Sequence, residues 1–144
     1  PNQPNKLTVY CLAREKKTKP ARLRVRHSMR RRGYDLKKFD KLVKQGVVVV
    51  VSGDFSRPKL GLSRHDYSML ASSVSEIFHV GSLVNHIWDY SMLKAANVLG
   101  TTEILRLALD ASGPLAHVHY VSTISVIEEG DESTVARPAA FPGL

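Results

Sequence analysis

Residues 77–108 read IFHVGSLVNHIWDYSMLKAANVLGTTEILRLA, and residues 119–126 read HYVSTISV. A short apolar run ends at His79, a glycine-containing loop follows, then a long helical pattern, then a second apolar run closing on Ser122 and Thr123. Strand, loop, helix and strand in that order form a crossover unit of a parallel sheet. Within the helix, Leu93, Ala96, Gly100, Ile104, Leu107, Ala108 and Ala111 recur at helical spacing and mark the face turned to the core. Asn97 lies on that same face. A buried amide needs partners for its two donors and its carbonyl, so Asn97 either ties down a neighbouring loop or belongs to a site.

The pattern extends outward from this unit. Leu7–Leu12 reads as a buried parallel strand. Pro20 suits the first turn of a helix through Ala21, Leu23 and Val25, Gly33 interrupts it, and a second helical piece covers Leu36–Lys44. Val47–Val51 is an unbroken valine strand ended by Ser52-Gly53. Residues 53–63 form a loop with Pro58 and Gly61, after which Ser63 can cap a short helix through Ala71. Glu76–His79 is the next strand. The long helix is expected from Tyr90 to Ala111, stopped by Gly113-Pro114, and Val118–Ser122 is the last strand. After Val126 the sequence turns acidic and rich in Pro and Gly, without periodicity, and reads as loop.

Composition bounds the rest. A chain of 144 residues with 43% hydrophobic residues suits one globular domain or a piece of one. No apolar run approaches the roughly 20 residues needed to span a bilayer, and no basic-then-apolar leader is visible, so no membrane role is expected and the cytoplasm is the default location. The single Cys11 excludes an internal disulfide and reads as a small buried hydrophobe. The net charge of +8 is concentrated between Arg14 and Lys44, where fourteen Lys and Arg face only Glu15, Asp35 and Asp40. A solvated helix face, a docking surface for an acidic protein and a nucleic-acid site all fit such a cluster. The last is disfavoured, because only Tyr34 and Phe39 interleave it and no nucleic-acid motif accompanies it. His117 and His119 share one strand face, and His79 and His86 flank a loop, but no Cys or carboxylate completes a zinc set at usual spacing. No metal is expected.

NVLGTTEILRLA followed by HYVSTISV resembles the extended short-chain dehydrogenase/reductase group. More narrowly, it is similar to the terminal thioester reductase domains of non-ribosomal peptide and polyketide synthases, a domain type shared by carboxylic acid and aminoadipate reductases. VYCLAR at residues 9–14, GDFSRPKLGLS at 53–63 and HVGSLVNHIWDYSMLKAANV at 79–98 add to the match in family order. The resemblance covers most of the chain from Val9 to Val126. It implies an α/β fold, the central portion of a doubly wound parallel-sheet (Rossmann) domain binding NADP. Such proteins begin with a strand and a glycine-rich turn that holds a pyrophosphate, whereas this chain opens at Pro1-Asn2-Gln3-Pro4 and contains no G-x-G-x-x-G. Nor does the expected Tyr-x-x-x-Lys follow the Thr-bearing strand. Tyr90 and Lys94 have that spacing but precede Thr123 and belong to the helix-opening segment. The chain is therefore expected to be part of a larger reductase domain, without reductase activity alone.

The resemblance also assigns residues. Arg14 closes the first strand, where an acid would bind the ribose hydroxyls of NAD and a guanidinium pairs the 2′-phosphate of NADPH. Arg22, or with less reason Lys16 or Lys17, would supply a second positive contact. Asp54 and Phe55 stand where related proteins meet the adenine amino group and ring, although Asp54 also suits a plain turn residue. Gly81, Ser82 and Leu83 follow a strand where backbone approaches the cofactor, and Asn97 is grouped with them as cofactor-binding. Thr123 is the catalytic candidate, its hydroxyl donating to the substrate carbonyl as charge develops on oxygen; Ser122 and Ser125 are weaker. The implied reaction is NADPH-dependent reductive release of an acyl thioester, as aldehyde or alcohol, from the phosphopantetheine arm of an acyl or peptidyl carrier protein. Two alternatives stand beside it. One is another extended reductase or epimerase acting on nucleotide-sugars or hydroxysteroids; the other is a degenerate cofactor-binding or carrier-docking module.

Overall fold

The computed structural model describes residues 7–16, 19–113 and 115–123. The expectations placed on Lys17, Pro114, Ser125 and the segment after Val126 lie outside them, as does Pro1–Pro4. In chain order the elements are β1 (Val9–Ala13), α1 (Ala21–Arg31), α2 (Leu36–Lys44), β2 (Val48–Ser52), a 3-10 turn (Pro58–Gly61), α3 (Arg64–Ser73), β3 (Glu76–His79), α4 (Tyr90–Lys94), a π-helical turn (Ala95–Leu99), α5 (Gly100–Leu109) and β4 (His117–Tyr120).

The strands form two parallel pairs. In the first, Val9 lies opposite Val48 and Ala13 opposite Ser52; in the second, Glu76 lies opposite His117 and His79 opposite Tyr120. Each pair is joined by a helical crossover, as parallel strands require. The β1 ladder opens with the Val9 N–H donating to the Val47 carbonyl at 2.8 Å, leaving Leu7 75% exposed ahead of it. The strand therefore starts two residues later and ends one residue later than the expected Leu7–Leu12. Likewise β4 extends only as far as β3 offers partners. Its last bond is Val121 N–H to His79 carbonyl at 3.1 Å, so the expected strand end at Ser122 is not reached.

Both pairs rest on one core of Leu60, Tyr67, Leu70, Ala71, Ile104 and Leu107, against which Tyr10, Leu12, Ile77 and Val118 pack. Strand alternation turns Val9, Cys11 and Ala13 to the opposite face, beside α1. Burial raises the pKa of the Cys11 thiol, consistent with a packed hydrophobe. Gly33 (φ +74°) ends the first helix, and Asp35 caps α2 by accepting from Lys37 N–H at 2.8 Å and Lys38 N–H at 3.3 Å. Ser63 caps α3 as expected, accepting from Asp66 N–H at 3.1 Å.

The long helix differs from a plain α-helix in two ways. The Thr101 hydroxyl donates to the Asn97 carbonyl at 2.7 Å and that of Thr102 to Val98 at 3.2 Å. These side-chain donors serve carbonyls of the π turn where the ladder widens. The helix also closes at Leu109 rather than Ala111. The Tyr67 hydroxyl donates to Asp110 at 2.9 Å and Ser112 N–H donates to the Ala71 carbonyl at 3.2 Å, drawing the chain toward α3 before Gly113.

Candidate functional site

The carboxyl ends of β1, β2 and β3 converge on a crevice of about 380 Å3. Leu12, Ala13 and Arg14 come from β1 and its exit, Gly53–Ser56 follow β2, and Gly81–Leu83 follow β3. α1 contributes Arg24, Val25 and Ser28, and the π turn contributes Ala96. In open α/β sheets this end of the strands is where ligands bind.

Phe55 is fixed by the absence of two side chains. A Cβ on Gly81 would stand 2.9 Å from its ring, and one on Gly100 would stand 2.5 Å from it. The ring meets the imidazole of His79 edge-on, centroids 5.5 Å apart. His79 is 5% exposed, lies 3.3 Å from the Thr101 hydroxyl and tilts against Tyr120. Burial lowers its pKa, so it is neutral at physiological pH. It is a packing histidine.

Asp54 forms an Asx turn: one carboxylate oxygen accepts from Ser56 N–H at 3.0 Å and from the Ser56 hydroxyl at 2.6 Å. The other lies 3.7 Å from the Arg14 guanidinium. Burial opposes its charge, but the two Ser56 hydrogen bonds, with Arg14 and Arg57, outweigh it and hold the carboxyl below its usual range. Arg14 itself is 60% exposed at the rim.

Of the residues singled out above, the crevice brings together Arg14, Asp54, Phe55, Gly81, Ser82 and Leu83. Asn97 stands behind them. It accepts from Leu83 N–H at 2.8 Å and donates to the Leu83 carbonyl at 2.9 Å, so both ends of its amide tie down the loop after β3. Thr123 lies three residues past β4, exposed and outside the crevice lining. Arg22 is also outside, on the side of α1 that faces Asp40, whose carboxyl both Arg26 and Arg22 lower. Arg24 takes the inward position instead, its guanidinium donating to the Arg14 carbonyl. The sequence signal was spacing: Ala21, Arg24, Val25 and Ser28 fall at i, i+3, i+4 and i+7 on one helical stripe that excludes Arg22, and the structure buries or half-buries all four.

Arg24 and Ser28 also border a second concavity, of about 750 Å3, lined by Lys16, Lys19, His27, Arg31 and Arg32. The basic segment is thus partly folded into a positive pocket abutting the crevice, while Arg26 is engaged with both Asp40 oxygens at 3.0–3.1 Å. On the far side, His117 and His119 both reach Glu76, at 3.1 and 2.6 Å. Among the described residues no group of three His, Cys, Asp or Glu is placed to hold a metal. Nor is any helix there long and apolar enough to cross a membrane. Lys94 lies over the Tyr90 ring, 5.8 Å from its centroid, at the start of α4.

Comparison with known proteins places this geometry. The sequence matches the NAD-binding family described as male sterility protein over residues 2–142. It is 39% identical over 136 residues to a linear gramicidin synthase of Brevibacillus parabrevis, covering 93% of this chain and 2% of that protein. It is 42% identical over 92 residues to a carboxylic acid reductase of Segniliparus rugosus, covering 64% of this chain and 7% of the relative. The fold superposes on the terminal R domain of the myxalamid PKS-NRPS pathway with a TM-score of 0.74 and 34% identity, over 92% of this chain and 32% of that one. The chain thus spans a small part of its curated relatives and about a third of the solved domain. An α/β arrangement of parallel strands and crossover helices is the Rossmann architecture of that neighbour, and the chain belongs to the NAD-binding family that includes the terminal reductase domains of peptide and polyketide synthases and carboxylic acid reductases.

Proposed function

We propose that this chain forms the adenosine-binding half of an NADPH-dependent thioester reductase. The observation that carries the reading is the crevice at the carboxyl ends of β1, β2 and β3, with an apolar wall on one side and guanidinium groups on the other. Its donor set fits the adenosine end of a nicotinamide dinucleotide. Phe55 offers a ring edge fixed between two glycines, Asp54 offers a carboxylate held ionised to accept from an exocyclic amine, and Arg14 and Arg24 stand where a ribose phosphate needs cations. The peptide groups of Gly81–Leu83, held by Asn97, present backbone to the same space.

The bound cofactor would supply hydride to the thioester carbonyl. This chain's part is to hold its adenosine end and, through the Thr123 hydroxyl, to donate a hydrogen bond to the substrate oxygen as it gains charge. The substrate is an acyl group on the phosphopantetheine arm of a carrier protein, released as aldehyde or alcohol. The positive concavity around Arg24, Arg31 and Arg32 suits long-range attraction of an acidic carrier. Support for this assignment comes from the gramicidin synthase and carboxylic acid reductase relatives, whose names state synthesis and reduction.

Titration calorimetry of the chain with 2′,5′-ADP and with 5′-AMP tests the cofactor assignment. The 2′-phosphate should tighten binding about tenfold or more, a charge-assisted contact being worth roughly 1.5–3 kcal/mol. Arg24→Ala and Arg14→Ala should each erode that preference, and Arg22→Ala should leave it intact. Equal affinity for the two nucleotides would refute the NADPH reading. For the reaction itself, the enzyme carrying this sequence should convert a phosphopantetheine thioester to aldehyde with NADPH. Thr123→Val should lower kcat about 10²–10³-fold with little effect on cofactor binding.

A further inference from the structure

The reading of the crevice leaves one buried charge unused. Glu103 lies on α5, 7% exposed, and is not among the residues lining the crevice. One carboxylate oxygen accepts from the Lys59 backbone N–H at 2.6 Å, and the other is paired with Arg106. Lys59 is an unusual residue to grip. It and Leu60 both adopt left-handed backbone (φ +52° and +58°) ahead of Gly61 at +64°. Two successive residues with side chains in that region persist only where surrounding structure holds them.

The strained turn is connected to the crevice. The Leu60 carbonyl accepts from Asp54 N–H at 2.7 Å, and the Leu60 side chain is 1% exposed beneath it. Asp54 and Phe55 therefore take their position from a turn whose unfavourable backbone is held by a carboxylate from another element. The same helix sets Phe55 directly, since Gly100, one turn before Glu103, lies against the ring. We infer that Glu103 is a positioning residue for ligand binding: by holding Lys59 N–H it fixes the Asp54–Phe55 arm and so sets affinity for the adenine end of the ligand. The inference rests on the proposed adenosine-binding role of the crevice.

Two substitutions separate this role from a merely structural ion pair. Glu103→Gln keeps the length of the side chain and its acceptor oxygen but loses the charge. Glu103→Asp keeps the charge that pairs with Arg106 but withdraws the oxygen by one methylene. If placement of Lys59 N–H is what matters, Glu103→Gln retains near-normal affinity for 2′,5′-ADP, whereas Glu103→Asp loses about tenfold or more. Amide exchange at Lys59 and Asp54 should quicken in Glu103→Asp alone, with exchange in the β1–β2 ladder unchanged in both. Glu103→Asp binding as tightly as Glu103→Gln, or more tightly, overturns the inference. Absence of 2′,5′-ADP binding by the unsubstituted chain overturns the cofactor reading instead, so the two failures are distinct.

Discussion

Replacing Gly100 with Ala inside an α-helix should stabilise a protein by about 1 kcal/mol, because Gly loses the most backbone freedom on folding. Here the reverse is expected. A Cβ at this position would stand 2.5 Å from Phe55 Cδ2, 3.1 Å from Cε2 and 3.1 Å from the Phe55 carbonyl oxygen. Relieving such contacts means moving an aromatic ring already confined by Gly81 and His79. Overpacking of this kind costs about 1–3 kcal/mol, which cancels or exceeds the helical gain. Gly100→Ala should therefore be neutral to about 2 kcal/mol less stable in urea titrations, with the midpoint lowered and the slope unchanged. The decisive comparison is a double-mutant cycle with Phe55→Ala. Without the ring, two of the three nearest contacts disappear and the carbonyl at 3.1 Å stays, so Gly100→Ala should become neutral or stabilising. The coupling energy should thus exceed about 1 kcal/mol in favour of the double variant, beyond the roughly 0.3–0.5 kcal/mol scatter of independent sites. Additive effects, or a Gly100→Ala single variant more stable than the parent, would refute the account of Phe55 as a ring held between two glycines.

Three further outcomes follow from the same geometry. Asn97→Ala removes both partners of the Leu83 peptide groups, so it should cost about 1–3 kcal/mol and quicken exchange at the Leu83 amide; an unchanged Leu83 rate would show that the amide does not hold the loop. Because burial lowers the folded pKa of His79, the unfolded chain takes up the proton first, and stability should fall as pH drops below about 6.5. His79→Gln should flatten that part of the profile in urea titrations between neutral and mildly acidic pH. Tyr67, its phenol pushed up to about 12 by burial and by donating to Asp110, should behave oppositely: the unfolded phenol ionises first near pH 10, so stability declines as pH rises from there toward 12. Tyr67→Phe should remove this decline, and ultraviolet titration of the phenol gives the direct check.

Local sequence revealed some of these features better than others. The valine strand, Glu76–His79, the Ser63 cap and helix Leu36–Lys44 were legible because each carries its own periodicity or cap. The inward face of the long helix was legible too, Gly100, Ile104, Leu107 and Ala108 all being buried. What escaped depends on contacts distant in sequence. The ends of β1 and β4 are set by the partner strand, and the early close of α5 by Tyr67 and Ala71 of α3. The left-handed turn at Lys59 and Leu60 has no local signature beyond Pro58 and Gly61, since its stabilising carboxylate lies 44 residues away. At the site, Gly81 was legible as a glycine at a strand's carboxyl end, but that it makes room for Phe55 was not. Asn97 was legible as an anomaly on an apolar face, and the structure shows its amide tied to both Leu83 peptide groups.

The two sides of the crevice are built on different physical terms, and this bears on what each can discriminate. Phe55 and Gly81 line one wall, and His79 and Gly100 pack against the Phe55 ring, so that the ring has little room to move. Little conformational freedom remains there to be lost on binding, so shape can be read with little ordering cost. The opposite rim is charge on long side chains: Arg14 is 60% exposed, and its ion pair with Asp54 spans 3.7 Å, longer than a direct hydrogen bond. An exposed guanidinium gains little from a carboxylate in water. A phosphate can therefore recruit Arg14 without a large loss of existing interactions, while Asp54 keeps both of its Ser56 bonds. In the proposed role, recognition of the ring would depend on packing set by α5 and β3, and recognition of the phosphate on cations from β1 and α1. Substitutions on one side should leave the other largely intact, except at Asp54, which faces Arg14 and is fixed through Leu60 and Lys59 to Glu103.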